Sequence, residues 1–600
     1  MIKSMRLEKK VSQKQLAHGL CSVSLLSYIE KGEKIPSVEL RQRLLDRLGG
    51  SFQSYVNVFK GKEYFDQREK NQFVKLIKDE DWDALKEQKS VIEERIAESD
   101  AITKQFYYDV LGLICFSERD YQGANSAYEK AVECTMAGID RASLNQYLLA
   151  PIEYYYLVMR CYSKAKADIS KLEENTDCLL AILDKIERSD IVETKKCGIY
   201  SFALEQYYEL VKDSEYFNIL LLNNRVDRAL EMLIKSNRSF NLMDLLKIKA
   251  FIFDGMAGAD KEKEAYDNRI KALEEIYKIA EVKNNTECGV YFLYDEVSID
   301  ISDMIRKRRS LLGLTQSQLA DGICSVKTLR RIEQGIVNSQ YAVIEPLMQR
   351  LNLPGETQYD NYITDDWEVL RTAYEYKVAM RERNYIQARC LLSYLEHSVE
   401  MIPQNEQIFR MNKANLEYIT NEISAEEYLN RLGDALSITL KINESTNYEE
   451  SYFSEGELQC MFYMTMVTEK YRSIVLLDFF RKIFDGNNCN NLSTELRALI
   501  LRWMSDRCEK NGDYQLSDRY ARMSLKLDLM NNKLRTAHKC LYDIVWNSVK
   551  SSNEKDMFSD DVCHNIFVCY VLAEFIKDNK SVEFMKKTIN CIQEKKNWMN

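Results

Sequence analysis

Proline and glycine are scarce: five and twenty in 600 residues, well below the usual abundance of about 5% and 7%. Collagen-like, proline-rich and disordered chains need more of one or both, so those classes are excluded. No run of about 18 uninterrupted apolar residues occurs, and the N-terminal Met1-Ile2-Lys3-Ser4-Met5-Arg6 has no apolar stretch behind it. The expectation is therefore a cytoplasmic protein without membrane attachment. No glycine-rich phosphate loop, His-Glu-x-x-His or Cys-x-x-Cys occurs, and the four histidines (His18, His397, His538, His564) are far apart in sequence. Cys563-His564 are adjacent and so diverge on a helix, and Asp254-Gly255 with Asp260 lack the alternating ligands of a calcium loop. No enzyme activity, cofactor or metal is expected. The sixteen cysteines, scattered through apolar stripes, are expected to be reduced and mostly buried.

What remains is a chain with 46% hydrophobic and 29% charged residues and a net charge of −10. At 600 residues it exceeds any single core, which points to several domains or a repeat array. A repeat is present. Gln13-Lys14-Gln15-Leu16-Ala17-His18-Gly19-Leu20-Cys21-Ser22-Val23 returns, at an offset of 303, as Gln316-Ser317-Gln318-Leu319-Ala320-Asp321-Gly322-Ile323-Cys324-Ser325-Val326. Twelve of the twenty positions from 13 to 32 are identical, against about one by chance. The same offset pairs Arg6 with Arg309, Leu44 with Leu347, Arg47 with Arg350, Leu48 with Leu351, Trp82 with Tyr385 and Phe106 with Phe409. The chain reads as two copies of one unit of about 300 residues.

Each copy opens with helices broken by one tight turn. Ser12 or Thr315 caps a helix carrying Leu16-Ala17 or Leu319-Ala320. Gly19-x-Cys21 or Gly322-x-Cys324 turns the chain, and Ser22 or Ser325 caps the next helix. That helix places Leu26 and Ile29, or Leu329 and Ile332, on one buried face. Gly32 and Gly335 stand where a helix end favours a left-handed residue, and Ala17 and Ala320 are small where two helices must cross closely. This pattern resembles the Cro/C1-type (XRE) helix-turn-helix over about 60 residues per copy, with the shorter turn of the peptide-sensing PlcR and Rgg type of Gram-positive regulators.

The resemblance implies that the second helix enters the DNA major groove. Carried over by position, it makes Gln316, Lys327, Thr328, Arg330 and Arg331 the DNA-facing set of the second copy, and Gln13, Ser24, Ser27 and Tyr28 that of the first. The chemistry agrees: Lys and Arg neutralise phosphate or donate to guanine, while Gln, Ser and Thr reach phosphate or base edges. Arg306, Lys307, Arg308 and Arg309 offer a basic flank, and Glu30 and Glu333 read as local structural partners. Charge supports the assignment. Residues 1–35 and 301–335 each hold seven Lys or Arg against three Asp or Glu, so the other 530 residues carry −18.

Behind each head lie helical residues with aromatic and alanine periodicity. Tyr108, Leu111 and Gly112, then Ala124, Tyr128 and Ala131 with Asp120-Tyr121 at the bend, resemble a tetratricopeptide repeat, although Met136 stands where that repeat usually has proline. Weaker echoes occur at Gly512-Asp513-Tyr514 with Tyr520-Ala521, and around Trp82 and Tyr385. The expected fold is all-α: two tandem copies of a helix-turn-helix head followed by a tetratricopeptide-like α-solenoid. The expected domains are 1–60, 61–295, 296–357 and 358–600. Boundary signals lie at Asn284-Asn285, Tyr294-Asp295-Glu296 and Pro354-Gly355, and a loop at Asn487–Asn491.

Thirty-seven tyrosines, among them Tyr154-Tyr155-Tyr156 and Tyr207-Tyr208, suit either seam packing or a peptide groove. In the resembling family the solenoid binds a signalling peptide and forms a homodimer. The expected function is a sequence-specific DNA-binding transcription regulator, with double-stranded DNA and a peptide or protein ligand as partners. Two heads in one chain can stand in for a homodimer, and pairing of two chains stays open. So does a second reading, a protein-interaction scaffold with vestigial heads, because most identical head positions are core or cap positions.

Overall fold

The computed structural model describes residues 1–50, 55–59, 61–256, 258–283, 298–336, 341–353, 357–359, 362–364, 366–441, 451–467, 470–485, 492–551 and 559–599. The boundary signals at Asn284-Asn285, Tyr294-Asp295-Glu296 and Pro354-Gly355, and the loop at Asn487–Asn491, lie outside the described residues. Among the described residues the fold is all-helical apart from one small sheet, in keeping with the proline-poor composition. None of the fourteen described cysteines forms a disulfide; six are buried, six half-buried, and Cys390 and Cys591 exposed.

The chain forms two compact units, each assembled from separate stretches of sequence: 1–10, 51–72 and 295–500 in one; 11–50, 73–294 and 501–600 in the other. These units cut across the boundaries expected from the sequence, where 358–600 formed one domain.

In the unit that contains 295–500, the second head comprises the helices Ile301–Leu311, Gln316–Ala320, Val326–Glu333 and Tyr341–Arg350. Their core is Met304, Ile305, Leu319, Ala320, Leu329, Ile332, Leu347 and Leu351. Strands flank this head, which the sequence pattern did not anticipate. β1 (Tyr55–Phe59) pairs in parallel with β2 (Ser298–Asp300) and antiparallel with β3 (Thr357–Tyr359), with Asn57 opposite both Ser298 and Thr357. Tyr55-Val-Asn-Val-Phe59 is rich in the β-branched and aromatic residues that favour a strand. Helical hairpins follow, including Trp367–Arg381 with Tyr385–Ser398 and Pro403–Ile419 with Ala425–Ser437. Ala373, Ala379 and Ala388 allow close approach in a seam filled by Tyr376, Leu392 and Phe409.

In the other unit the helices Gln13–Ala17, Val23–Glu30 and Val38–Arg47 accompany a longer helical array. In the hairpin of Ala101–Ser117 and Tyr121–Met136, Asp120 caps the second helix through the Gly123 amide, 2.8 Å away. Gly112 is required there, because a Cβ on it would lie 2.6 Å from the Tyr128 ring. Tyr154, Tyr155 and Tyr156 are fully buried and Tyr207 is buried, so these side chains fill the core and line no groove. The last hundred residues belong to the same core: Ala521, Leu525, Cys540 and Leu572 join one cluster with Leu245, Leu273 and Ile276. The Ser239 amide donates to the Asn532 carbonyl at 2.9 Å. A solenoid end exposes the apolar face of its last helix; here residues 501–600 cover the one ending near Ile279.

Candidate nucleic-acid interface

In the second head the helix pair is built by its caps. Thr315 accepts from the Gln318 amide while Gln318 returns to the Thr315 amide, a reciprocal capping box. Ser325 caps the next helix through the Thr328 amide at 3.0 Å, and Gly322 takes the left-handed conformation of the turn at φ +69°. Ser12, Ser22 and Gly19 repeat this arrangement in residues 11–50, with the same φ of +69° at the glycine.

Lys327, Arg330 and Arg331 are exposed, and at spacings of three and four they share one helix face. Among the described residues none of these three side chains has an ion-pair or hydrogen-bond partner. The other basic side chains of the same head are engaged. Arg306 and Lys307 pair with Asp303, Arg309 pairs with Glu333 at 2.6 Å, and Arg350 donates to the carbonyls of Gln318, Leu319 and Asp321. Arg308 corrects the expected basic flank: it is fully buried and paired with Glu457 at 2.7 Å. A buried guanidinium requires a carboxylate, and the sequence placed no partner within reach of it.

Gln316 donates to Glu333 at 2.7 Å, and Gln13 to Glu30 at 2.8 Å. These carboxylates thus orient the two glutamines predicted to face DNA. Thr328 is half-buried and shares a hydrogen bond with Ser325 at 2.8 Å. The face of the Val23 helix differs in kind: Ser24 and Tyr28 are exposed and Ser27 half-buried, with no basic side chain between them. The Lys34 ammonium, however, lies 5.9 Å from the Tyr28 ring, a cation–π approach. Sequence reasoning missed Lys34 because it follows the helix; the signal was a lysine just past the Gly32 turn, where the chain folds back on Tyr28.

Residues 2–54 match the helix-turn-helix family model HTH_3. No curated protein matches the sequence. Among solved structures, the chain is similar to Bacillus thuringiensis PlcR in complex with the peptide PapR7 and DNA, at 15% identity and a TM-score of 0.31, over 48% of this chain and 99% of that one. It is also similar to the APC/C hetero-tetramer Cut9-Hcn1, at 11% identity and a TM-score of 0.18, over 84% of this chain and 88% of that one.

The helix-turn-helix of residues 11–50 is fastened to the helices behind it. The Arg47 guanidinium grips Glu153 at 2.9 and 2.6 Å with both side chains almost wholly buried, and also donates to the carbonyls of Leu16 and His18. Burial by itself pushes the Glu153 carboxyl up, but the charge and hydrogen bonds of Arg47, with Arg43 and the Ala150 amide, hold it below the ordinary range. Arg43 donates to Gln105 at 2.7 Å, Thr103 to Glu39 at 2.9 Å, and Asp46 pairs with Lys195. Among the described residues no group of His, Cys, Asp and Glu could hold a metal ion, and no helix is long and apolar enough to cross a membrane.

Proposed function

We propose that this chain is a sequence-specific DNA-binding transcription regulator whose two heads read unlike half-sites. The second head supplies most of the affinity, and a peptide or protein ligand taken by the helical bodies biases how the heads are presented. The observation that carries the reading is the Lys327–Arg330–Arg331 face: three unneutralised cations on one helix of an acidic chain. The helix-turn-helix match of residues 2–54 supports the same reading for the first head. There Ser24, Ser27 and Tyr28 are suited to hydrogen bonding and apolar contact with base edges, and Gln13 and Gln316, oriented by Glu30 and Glu333, are suited to phosphate. Ligand control requires unequal affinity for two arrangements, since equal affinity shifts nothing.

The test is selection of random duplex DNA by the purified chain, followed by affinity measurements across salt concentrations. An enriched motif with two unlike halves is expected. Arg330→Ala with Arg331→Ala should lower the slope of log affinity against log salt by about two, roughly one per lost phosphate contact. No enrichment from a chain whose heads are both folded would overturn the reading in favour of an interaction scaffold.

A further inference from the structure

Under each head lies the same buried cradle. In the first copy Gln105 donates to Thr135 at 2.7 Å, Thr135 donates to Glu153 at 2.9 Å, and the Ala150 amide donates to the other Glu153 oxygen at 2.9 Å. In the second, Gln407 donates to Thr439 at 2.6 Å, Thr439 to Glu457 at 2.7 Å, and the Ser454 amide to Glu457 at 2.9 Å. An arginine fork closes on each carboxylate, but from different ends of the head. The first copy uses Arg47, at the end of the Val38 helix. The second uses Arg308, in the Ile301 helix, where the repeat places Met5 in the first copy.

Arg350, the repeat equivalent of Arg47, is present and posed. It holds the carbonyls of Leu319 and Asp321, which correspond by the offset of 303 to Leu16 and His18 held by Arg47. Its grip on its own head is therefore the same, but among the described residues it has no carboxylate partner, so the two heads rest on their bodies in different poses. A second observation agrees. Arg43, Asp46 and Arg47 are buried, whereas at the matching positions Gln349 and Arg350 are exposed and Pro346 is half-buried. A third lies at the turn: a Cβ on Gly19 would strike the Thr135 carbonyl, while Gly322 has open space around it.

We propose that Arg308 and Arg350 are alternative occupants of Glu457, and that the second head moves between the observed pose and one in which Arg350 closes on Glu457 as Arg47 closes on Glu153. One carboxylate takes one bidentate fork at a time, so the two poses exclude each other. In the first copy the position of Arg308 is held by the uncharged Met5, and the second arginine near Glu153, Arg43 at 3.6 Å, lies on the same helix as Arg47, so both favour one pose. The proposal rests on packing alone, independently of what the heads bind.

A double-mutant cycle in the full chain tests it, read by amide hydrogen exchange of residues 341–353 and 451–465. In the wild type Arg350→Ala should change opening of the body segment 451–465 by about twofold or less, because among the described residues Arg350 hydrogen-bonds only to the head carbonyls of Gln318, Leu319 and Asp321. In an Arg308→Met background, where Glu457 is released to Arg350, the same substitution should raise opening of 451–465 by more than about tenfold. Arg308→Lys, which keeps a buried cation but gives up the fork and so frees part of Glu457, serves if Arg308→Met does not fold, and should show a coupling of the same sign and smaller size. An equally small effect of Arg350→Ala in the wild type and in the Arg308 variant would overturn the proposal.

Discussion

Replacing Glu153 by glutamine removes the charge of the clamp beneath the first head. Glutamine keeps the shape but only one accepting oxygen, so it loses the negative charge facing Arg47 at 2.6 Å and Arg43 at 3.6 Å together with one of the two hydrogen bonds from Thr135 and the Ala150 amide, which reach different Glu153 oxygens. Arg47 is then left buried without a counter-charge, a change that costs about 3–5 kcal/mol. At about 2 °C per kcal/mol for a body of this size, the transition of the unit containing residues 73–294 should fall by about 6–10 °C in differential scanning calorimetry at neutral pH. The folded Glu153 carboxyl titrates below its unfolded value, so its contribution is present above about pH 4.5 and is lost as pH falls through the folded value. The Glu153→Gln and wild-type transitions should therefore converge in acid. The pair Arg47→Met with Glu153→Leu should recover much of the loss, because well-packed apolar groups replace buried ion pairs at little cost, and Arg43 keeps Gln105. A loss below about 1 kcal/mol, or a double variant no more stable than Glu153→Gln, would refute a buried clamp.

Three further outcomes follow from the geometry. Gly112→Ala drives a methyl into the Tyr128 ring and should cost about 1–3 kcal/mol in urea unfolding. Gly19→Ala and Gly322→Ala share the left-handed penalty at φ +69°, but only the first adds a collision, with the Thr135 carbonyl; Gly19→Ala should therefore lower its transition more. Asp109 is buried between the hydroxyls of Tyr128 and Tyr155, and burial pushes it up to about 7 despite those two donors. The folded chain then holds a proton that the unfolded chain releases above about pH 4, so stability should decline from about pH 4 to 7. Asp109→Asn should flatten that slope, a comparison made by urea titration across this range.

The head was legible in the sequence because its determinants are local. Ser12, Ser22, Gly19 and Gly32 act within four residues of themselves, through amides and dihedrals that the chain order fixes, and the repeat at 303 showed them twice. The hairpin at Gly112 and Tyr128 was legible for the same reason: a short spacing brings a small residue opposite a large one. The sequence also identified Lys327, Arg330 and Arg331 as one face, since helical periodicity needs no tertiary information. It did not distinguish them from Arg308 and Arg309, which carry the same charge in the same head. Only the tertiary structure did that, by placing Glu457, 149 residues away along the chain, against Arg308. Likewise, no periodicity shows that residues 501–600 cover the helix ending near Ile279, because an apolar face records that it must be covered and carries no record of which segment covers it.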